Sequence, residues 1–380
     1  MLTLLFPLLF LQTPAAEAIP PAKFTNLQGA LEELAERYHL PGLSVAVVHQ
    51  RKLVWSTGIG YADLEGGVWA APETRYRLAS VSKPFAAVLA LQLVEEGKLA
   101  LDASMKDFWI PTWFAPDPLR YRAQPITVRH VLEHTSEGTP GQRHAYNGNV
   151  YADLTYVLED VTHTAYPRLL EERIFARAGM ERSLPGQTRA GSVALEELAI
   201  PYRWDGAEYV RTGWQMMDPD PRLDMTHFEP VYPMPAEALA RRKELLGDGF
   251  MHLNAVSAAG EATSTVLDLA RFDIALDEGK LLSAASRELM WTPRVVDGAP
   301  LPYALGWFVE EFAGRKVIWH YGWLPPGVSA LYLKVPPAGF SFFLLANSDG
   351  LSASFPWTRE GVRASPFARA LLTEFGLDRE

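Results

Sequence analysis

Strand-like runs near both ends of the chain constrain what this sequence can fold into more than any other feature. Early on, residues 42–50 (GLSVAVVHQ) and 53–60 (LVWSTGIG) are apolar, β-branched runs joined by a short basic turn. Late in the chain, residues 303–310, 316–319, 328–334 and 340–347 are further β-like runs separated by Gly/Pro turns. Hairpin-joined strands pair antiparallel. The two groups therefore predict one antiparallel sheet assembled from both ends of the chain. Residues 27–39 have helical periodicity, with Leu27, Leu31, Leu34 and Ala35 on one face, and a final helix is expected over 365–374.

Between these groups, residues 99–245 are rich in Pro, Trp and Tyr and carry helical stretches at 128–134 and 151–163. The expected class is α+β: a sheet domain built from 19–98 and 246–380, flanked by helices, with a mainly helical insertion over 99–245. A doubly wound parallel sheet is not expected. A cleft between sheet and insertion is the place for a site. Neither an internal repeat nor a low-complexity tract is present.

A chain of 380 residues with 48% hydrophobic and 21% charged residues can bury a large core and is not a disordered chain. Net charge is −10 without a Lys/Arg run, so no nucleic-acid partner is expected. Residues 1–18 (MLTLLFPLLFLQTPAAEA) read as a signal peptide. The apolar stretch is far shorter than the roughly 20 residues of a membrane span, and Ala16-Glu17-Ala18 fits a small-x-small cleavage site. No basic residue precedes that stretch and Pro7 interrupts it, so a buried N-terminal strand or helix is the alternative. The expected location is periplasmic or secreted, with no stable membrane anchor. Cys is absent, which excludes thiol catalysis and Cys-ligated zinc.

The most informative stretch runs from Arg77 through Ser80-Val-Ser-Lys83 to Gly97 and predicts an apolar helix over 80–96 closed by Gly97. Pro84 falls in or just after the first turn, where its missing N–H is harmless. Ser80 and Lys83 are three apart and share one face. A serine hydroxyl becomes a nucleophile when a base removes its proton, and a buried amine with a lowered pKa can be that base. Of nine lysines only Lys83 has a serine three places earlier. On its own the pattern equally describes an N-capping serine beside a solvated lysine.

Further landmarks follow in order. They are Ile126-Thr-Val-Arg-His-Val-Leu-Glu-His-Thr-Ser136, Tyr146-Asn-Gly-Asn-Val-Tyr151, Ala258-Ala-Gly-Glu-Ala-Thr-Ser264 with Asp268-Leu-Ala-Arg-Phe272, His320-Tyr-Gly322, and Ala346-Asn-Ser-Asp-Gly350. Together with Ser80-x-x-Lys83 this set resembles the serine β-lactamase and penicillin-binding-protein superfamily, in particular the class C β-lactamase branch with its esterase and D-peptidase relatives. The resemblance implies an acyl-enzyme at Ser80 and a small ester, amide or D-peptide substrate, with no cofactor. It implies that Tyr146 is the second catalytic element, sharing the Ser80 proton with Lys83. A cationic Lys83 beside this phenol would favour the phenolate and lower a pKa normally near about 10. The resemblance also implies a substrate-binding strand at His320 and Gly322. There Gly322 would admit a substrate backbone and the Trp323 N–H would join that of Ser80 as an oxyanion donor. Trp307, Trp319 and Trp323 are candidates for an apolar acyl pocket or simply for the core.

Two departures bear on substrate recognition. Where the family carries Asn two places after the Tyr, this chain has Gly148, flanked by Asn147 and Asn149, either of which is a candidate replacement. Where the family carries Lys-Thr-Gly, this chain has His320-Tyr321-Gly322. Two other readings compete. A sensor that acylates without turnover suits the altered motifs. A zinc metallopeptidase is suggested by His130-x-x-Glu133-His134, whose imidazoles would share a helix face while Glu133 activates water.

Overall fold

The computed structural model describes residues 19–108, 110, 120–186, 198–212, 240, 244 and 257–379. The leader expected over 1–18 and the boundary expected at 245/246 lie outside these residues.

One seven-stranded antiparallel sheet forms the middle of the molecule. Its strands are β1 (Gly42–His49), β2 (Lys52–Asp63), β3 (Val68–Trp69), β4 (Phe308–Phe312), β5 (Arg315–Leu324), β6 (Val328–Val335) and β7 (Phe340–Ala346). Their spatial order is β4-β5-β6-β7-β1-β2-β3. The two ends of the chain are joined by β1 and β7, in register from Leu43 opposite Ala346 to His49 opposite Phe340. Strands β1, β6 and β7 are buried almost throughout because both faces are covered, which is why their sequences are nearly continuous apolar runs.

Alternate residues enter separate cores. Val45, Val47, Leu331, Leu333, Phe342 and Leu344 face an outer cluster closed by two terminal helices, α1 (Pro21–Arg37) and α7 (Pro366–Glu374). Ala46, Val48, Ala330, Tyr332, Phe343 and Leu345 face an inner cluster around α2 (Lys83–Glu95) and α6 (Val266–Asp277). Every residue of α2 from Lys83 to Leu93 is buried, so this helix is apolar on all sides rather than amphipathic. Each large aliphatic side chain so enclosed contributes about 1.5–3 kcal/mol, which makes α2 a rigid base for whatever its first turn carries.

The expected strand over 303–310 begins only at Phe308, because Gly306 at φ +81° turns the chain and Tyr303 bridges to Phe308. The run expected at 316–319 extends to Leu324 and so carries His320 and Gly322 within β5. Strand β4 pairs with β5 only as far as Trp319. The described part of 99–245 contributes the short helices α3 (Val128–Leu132), α4 (Gly148–Ala152) and α5 (Leu154–Thr162). It also holds a hairpin of Tyr202–Trp204 with Tyr209–Arg211, which was not expected there. This hairpin is tied to the end of β7, where the Asn347 carbonyl accepts the Tyr202 N–H at 2.8 Å and the Asn347 amide donates to Ile200 O at 2.9 Å. We propose 99–245 as a second unit seated on the sheet unit of 19–98 and 246–380. Among the described residues no helix is long and apolar enough to cross a membrane.

Candidate active site

The chain enters α2 through a tight turn. Ala79 lies at φ +45°, a left-handed conformation that its β-carbon disfavours, and residues Ala79–Ser82 form a 3₁₀ turn before the α-helix begins at Lys83. The helix expected from Ser80 thus starts one turn later. The turn presents Ser80 half-buried at the surface of the inner core, while Ser82 is only 1% exposed.

Strand β5 backs this turn. A β-carbon on Gly322 would lie 2.3 Å from Leu78 O and 3.3 Å from the Ala79 β-carbon. The close approach of the turn before Ser80 is enough by itself to require glycine at position 322. Its carbonyl accepts the Ser352 hydroxyl at 2.9 Å, which pins the strand at that point.

Lys83 is 1% exposed, and its Nζ lies 2.9 Å from Ser80 Oγ and 2.7 Å from Ala259 O. The rings of Tyr146 and Tyr151 flank the amine at 5.1 and 5.4 Å. Burial pulls its pKa down from 10.5 to about 7, opposed in part by the carboxylate of Glu261. A substantial fraction of neutral amine at neutral pH, in contact with a serine hydroxyl, is the arrangement a serine nucleophile needs.

Tyr146 does reach this pair, its ring packed against His134 at 4.2 Å, Phe308 at 5.9 Å and Tyr321 at 6.4 Å. The electrostatics differ from the expected phenolate. Burial raises the Tyr146 pKa, and the neighbouring Ser80 hydroxyl only partly offsets it. Removing a charged phenolate from water outweighs any help from a lysine that is itself half neutral. The Tyr146 hydroxyl is buried and completes no hydrogen bond of normal geometry among the described residues. Tyr146 is thus a neutral phenol, able to donate a proton but poorly suited to take one.

The two flanking asparagines differ in their surroundings. Asn147 caps α4, its Oδ1 accepting the Val150 N–H at 3.2 Å and its Nδ2 donating to Glu137 Oε1 at 2.7 Å. Asn149 is exposed on the first turn of α4, and its side chain makes no hydrogen bond among the described residues. Gly148 between them would place a β-carbon 3.9 Å from Lys83 Nζ. An asparagine there would face the amine.

His320 is fully buried, with Nε2 2.9 Å from the Tyr303 hydroxyl and Nδ1 2.7 Å from Tyr321 O. A carbonyl can only accept, so Nδ1 carries the hydrogen and Nε2 accepts from Tyr303. Burial and the proximity of Lys83 hold this imidazole well below its usual pKa. Both ring nitrogens are engaged inside the protein, so His320 anchors the strand on which substrate binding was expected. Trp307 and Trp319 belong to the inner and outer cores respectively, and Trp323 is 46% exposed. Only Trp323 remains available to line an acyl pocket.

The zinc reading is not supported by the geometry. Helix α3 ends at Leu132, so His130, Glu133 and His134 do not share a helical face. His130 Nδ1 accepts the Thr127 N–H at 3.2 Å, and the Glu133 carboxylate is held by Arg294 at 2.9 Å and Arg129 at 3.7 Å. His134 turns through φ +52° so that its Nδ1 accepts the Asn147 N–H at 3.1 Å. Among the described residues no group of three potential ligands converges. The sequence had not singled out Ala259 or Glu261 as site residues, and had singled out His134 only for the zinc reading. The signal for Glu261 was a lone acid in the otherwise small and uncharged run Ala258-Ala-Gly-Glu-Ala.

Comparison with known proteins agrees with this architecture. The chain is 24% identical over 365 residues to penicillin-binding protein 4* of Bacillus subtilis (strain 168), spanning 86% of this chain and 72% of that protein. It is 23% identical over 355 residues to the unguisins hydrolase ungD' of Aspergillus campestris (strain IBT 28561), covering 84% of this chain but only 60% of that protein's length. Its fold matches the octameric penicillin-binding protein homologue from Pyrococcus abyssi with a TM-score of 0.70 at 21% identity, over 93% of this chain and 77% of the other. The Beta-lactamase family model matches residues 27–363. With that match spanning the sheet, the inner helices and the Ser80–Lys83 turn, the chain belongs to the Beta-lactamase family of serine hydrolases.

Proposed function

We propose that this protein is an exported serine hydrolase that cleaves a small ester or amide through an acyl-enzyme on Ser80. The observation that carries the reading is the 2.9 Å contact between Ser80 and a buried Lys83 whose pKa lies at about 7. In its neutral form Lys83 gives one hydrogen to Ala259 O and turns its lone pair to the Ser80 hydroxyl. Ser80 Oγ then bonds to the substrate carbonyl carbon as its proton moves to Nζ. The resulting oxyanion faces the backbone N–H groups of Ser80 and Trp323. Collapse breaks the C–O or C–N bond, and the leaving group takes the proton from Lys83 directly or through the neutral phenol of Tyr146. Water completes the cycle by the same steps in reverse roles.

The substrate class follows from what the site lacks. No side-chain amide reaches Lys83 from Gly148, and His320 is turned inward, so a carboxylate-bearing β-lactam or D-peptide has fewer anchors than a short ester. A second reading, a sensor that acylates without turnover, draws support from the same absence together with the raised pKa of Tyr146. Export to the periplasm or the medium rests on the N-terminal sequence. The test is fluorophosphonate labelling and p-nitrophenyl ester turnover in Ser80→Ala and Ser82→Ala. The first should abolish both signals and the second should keep most of each. Retained labelling in Ser80→Ala would remove Ser80 from the role, and labelling without turnover in the parent would select the sensor.

A further inference from the structure

Glu261 is the acid nearest in effect to Lys83, and the family resemblance assigns it nothing. Its backbone lies at φ +74°, where a residue with a β-carbon is strained and glycine is not. Strain of this kind persists when neighbouring contacts enforce it. Here those contacts belong to the side chain. Glu261 Oε2 accepts the Ser257 N–H at 3.1 Å and the Ser257 hydroxyl at 2.9 Å. Ser257 Oγ in turn accepts the Ala259 N–H at 3.3 Å, and Ser257 and Gly260 close an isolated antiparallel bridge. Thr155 on α5 fixes the same loop by accepting the Ala258 N–H at 2.8 Å. The product of this clamp is the orientation of one carbonyl, Ala259 O, which takes a hydrogen of Lys83 at 2.7 Å.

We propose that Glu261 is a positioning residue for the nucleophile's base, its carboxylate clamping loop 257–261 so that Ala259 O holds the Lys83 amine toward Ser80. This rests on the role given to Lys83 above. The charge has a second consequence. The groups around Lys83 are Ser80, the phenols of Tyr146 and Tyr151, and the imidazoles of His134 and His320. Burial raises the pKa of both phenols and lowers that of both imidazoles, so all four rings are neutral. Burial raises the pKa of Glu261, opposed by the Ser257 hydrogen bonds and by the charges of Arg77 and Lys83, and among the described residues its carboxylate is the charge that favours the protonated amine.

The experiment is the rate of fluorophosphonate labelling of Ser80 against pH, with Tm, in the parent, Glu261→Gly, Glu261→Gln and Lys83→Ala. Glu261→Gly relieves the backbone and removes the clamp, so Tm should stay level or rise while labelling at about pH 8 slows roughly tenfold or more. Glu261→Gln keeps an acceptor but loses the charge, so the acid limb of the profile should move down by roughly one pH unit. Parental rates in Glu261→Gly would overturn the inference. So would an unmoved limb in Glu261→Gln accompanied by a fall in Tm, which marks a purely structural residue. Parental labelling in Lys83→Ala is a different failure, that of the base assignment itself.

Discussion

Replacing Lys83 with methionine should stabilise the protein at neutral pH while ending acylation of Ser80. The magnitude follows from the amine's environment. Its pKa is about 7 in the folded chain, against an ordinary 10.5. Between those values the unfolded chain holds a proton at this position and the folded chain does not. The amine therefore destabilises the fold fully below about pH 7, progressively less as pH rises, and not at all above 10.5. At about 1.4 kcal/mol per pH unit, that interval amounts to about 5 kcal/mol at pH 7. Methionine has a similar length and no charge to desolvate, but it leaves Ala259 O without its 2.7 Å donor, a loss of about 1–3 kcal/mol. The net gain is about 2–4 kcal/mol at pH 7. It should shrink by about 3 kcal/mol by about pH 9, because the parent gains stability with pH and the variant does not. Urea unfolding followed by tryptophan fluorescence at both pH values measures this directly. A stability difference that does not change with pH would refute the depressed amine, and with it the proposal that Lys83 serves as the base. A Lys83→Met variant less stable than the parent at both pH values would do the same.

Two further outcomes test other parts of the site and fold. The parent should cleave a short-chain aryl ester faster than a chromogenic cephalosporin, and Gly148→Asn should narrow that gap, since a β-carbon at 148 meets Lys83 Nζ at an ordinary 3.9 Å. A side-by-side kcat/KM measurement checks it, and an unchanged ratio would mean that the missing amide is not what limits β-lactam recognition. Asp273→Ala should cost about 3–5 kcal/mol in chemical denaturation, because Lys334, 3% exposed, would lose its 2.8 Å partner and Tyr332 its acceptor. The residual contact of Lys334 with Asp277 does not replace a fully buried carboxylate. A loss below about 1 kcal/mol would show that the buried pair contributes no more than a surface one.

What the sequence determined by itself was whatever is written in neighbouring residues. Alternation and apolar continuity in residues 42–60 and 328–346 were enough to specify an antiparallel sheet closed by both ends of the chain, because side-chain direction in a strand depends only on local position. The spacing of Ser80 and Lys83 sufficed for the same reason, one helical turn bringing positions three apart together whatever surrounds them. Tertiary structure alone decided how these groups behave. The pKa of Lys83, the neutrality of Tyr146 and the inward turn of His320 all arise from desolvation by residues distant in the chain. Ala259, 176 positions beyond Lys83, supplies the acceptor that orients it. Gly322 is held to glycine by the approach of the Leu78–Ala79 turn, and His130, Glu133 and His134 were drawn to separate partners despite their metal-like spacing. A buried polar group takes its partner and its charge from whatever packs against it, and no local pattern carries that information.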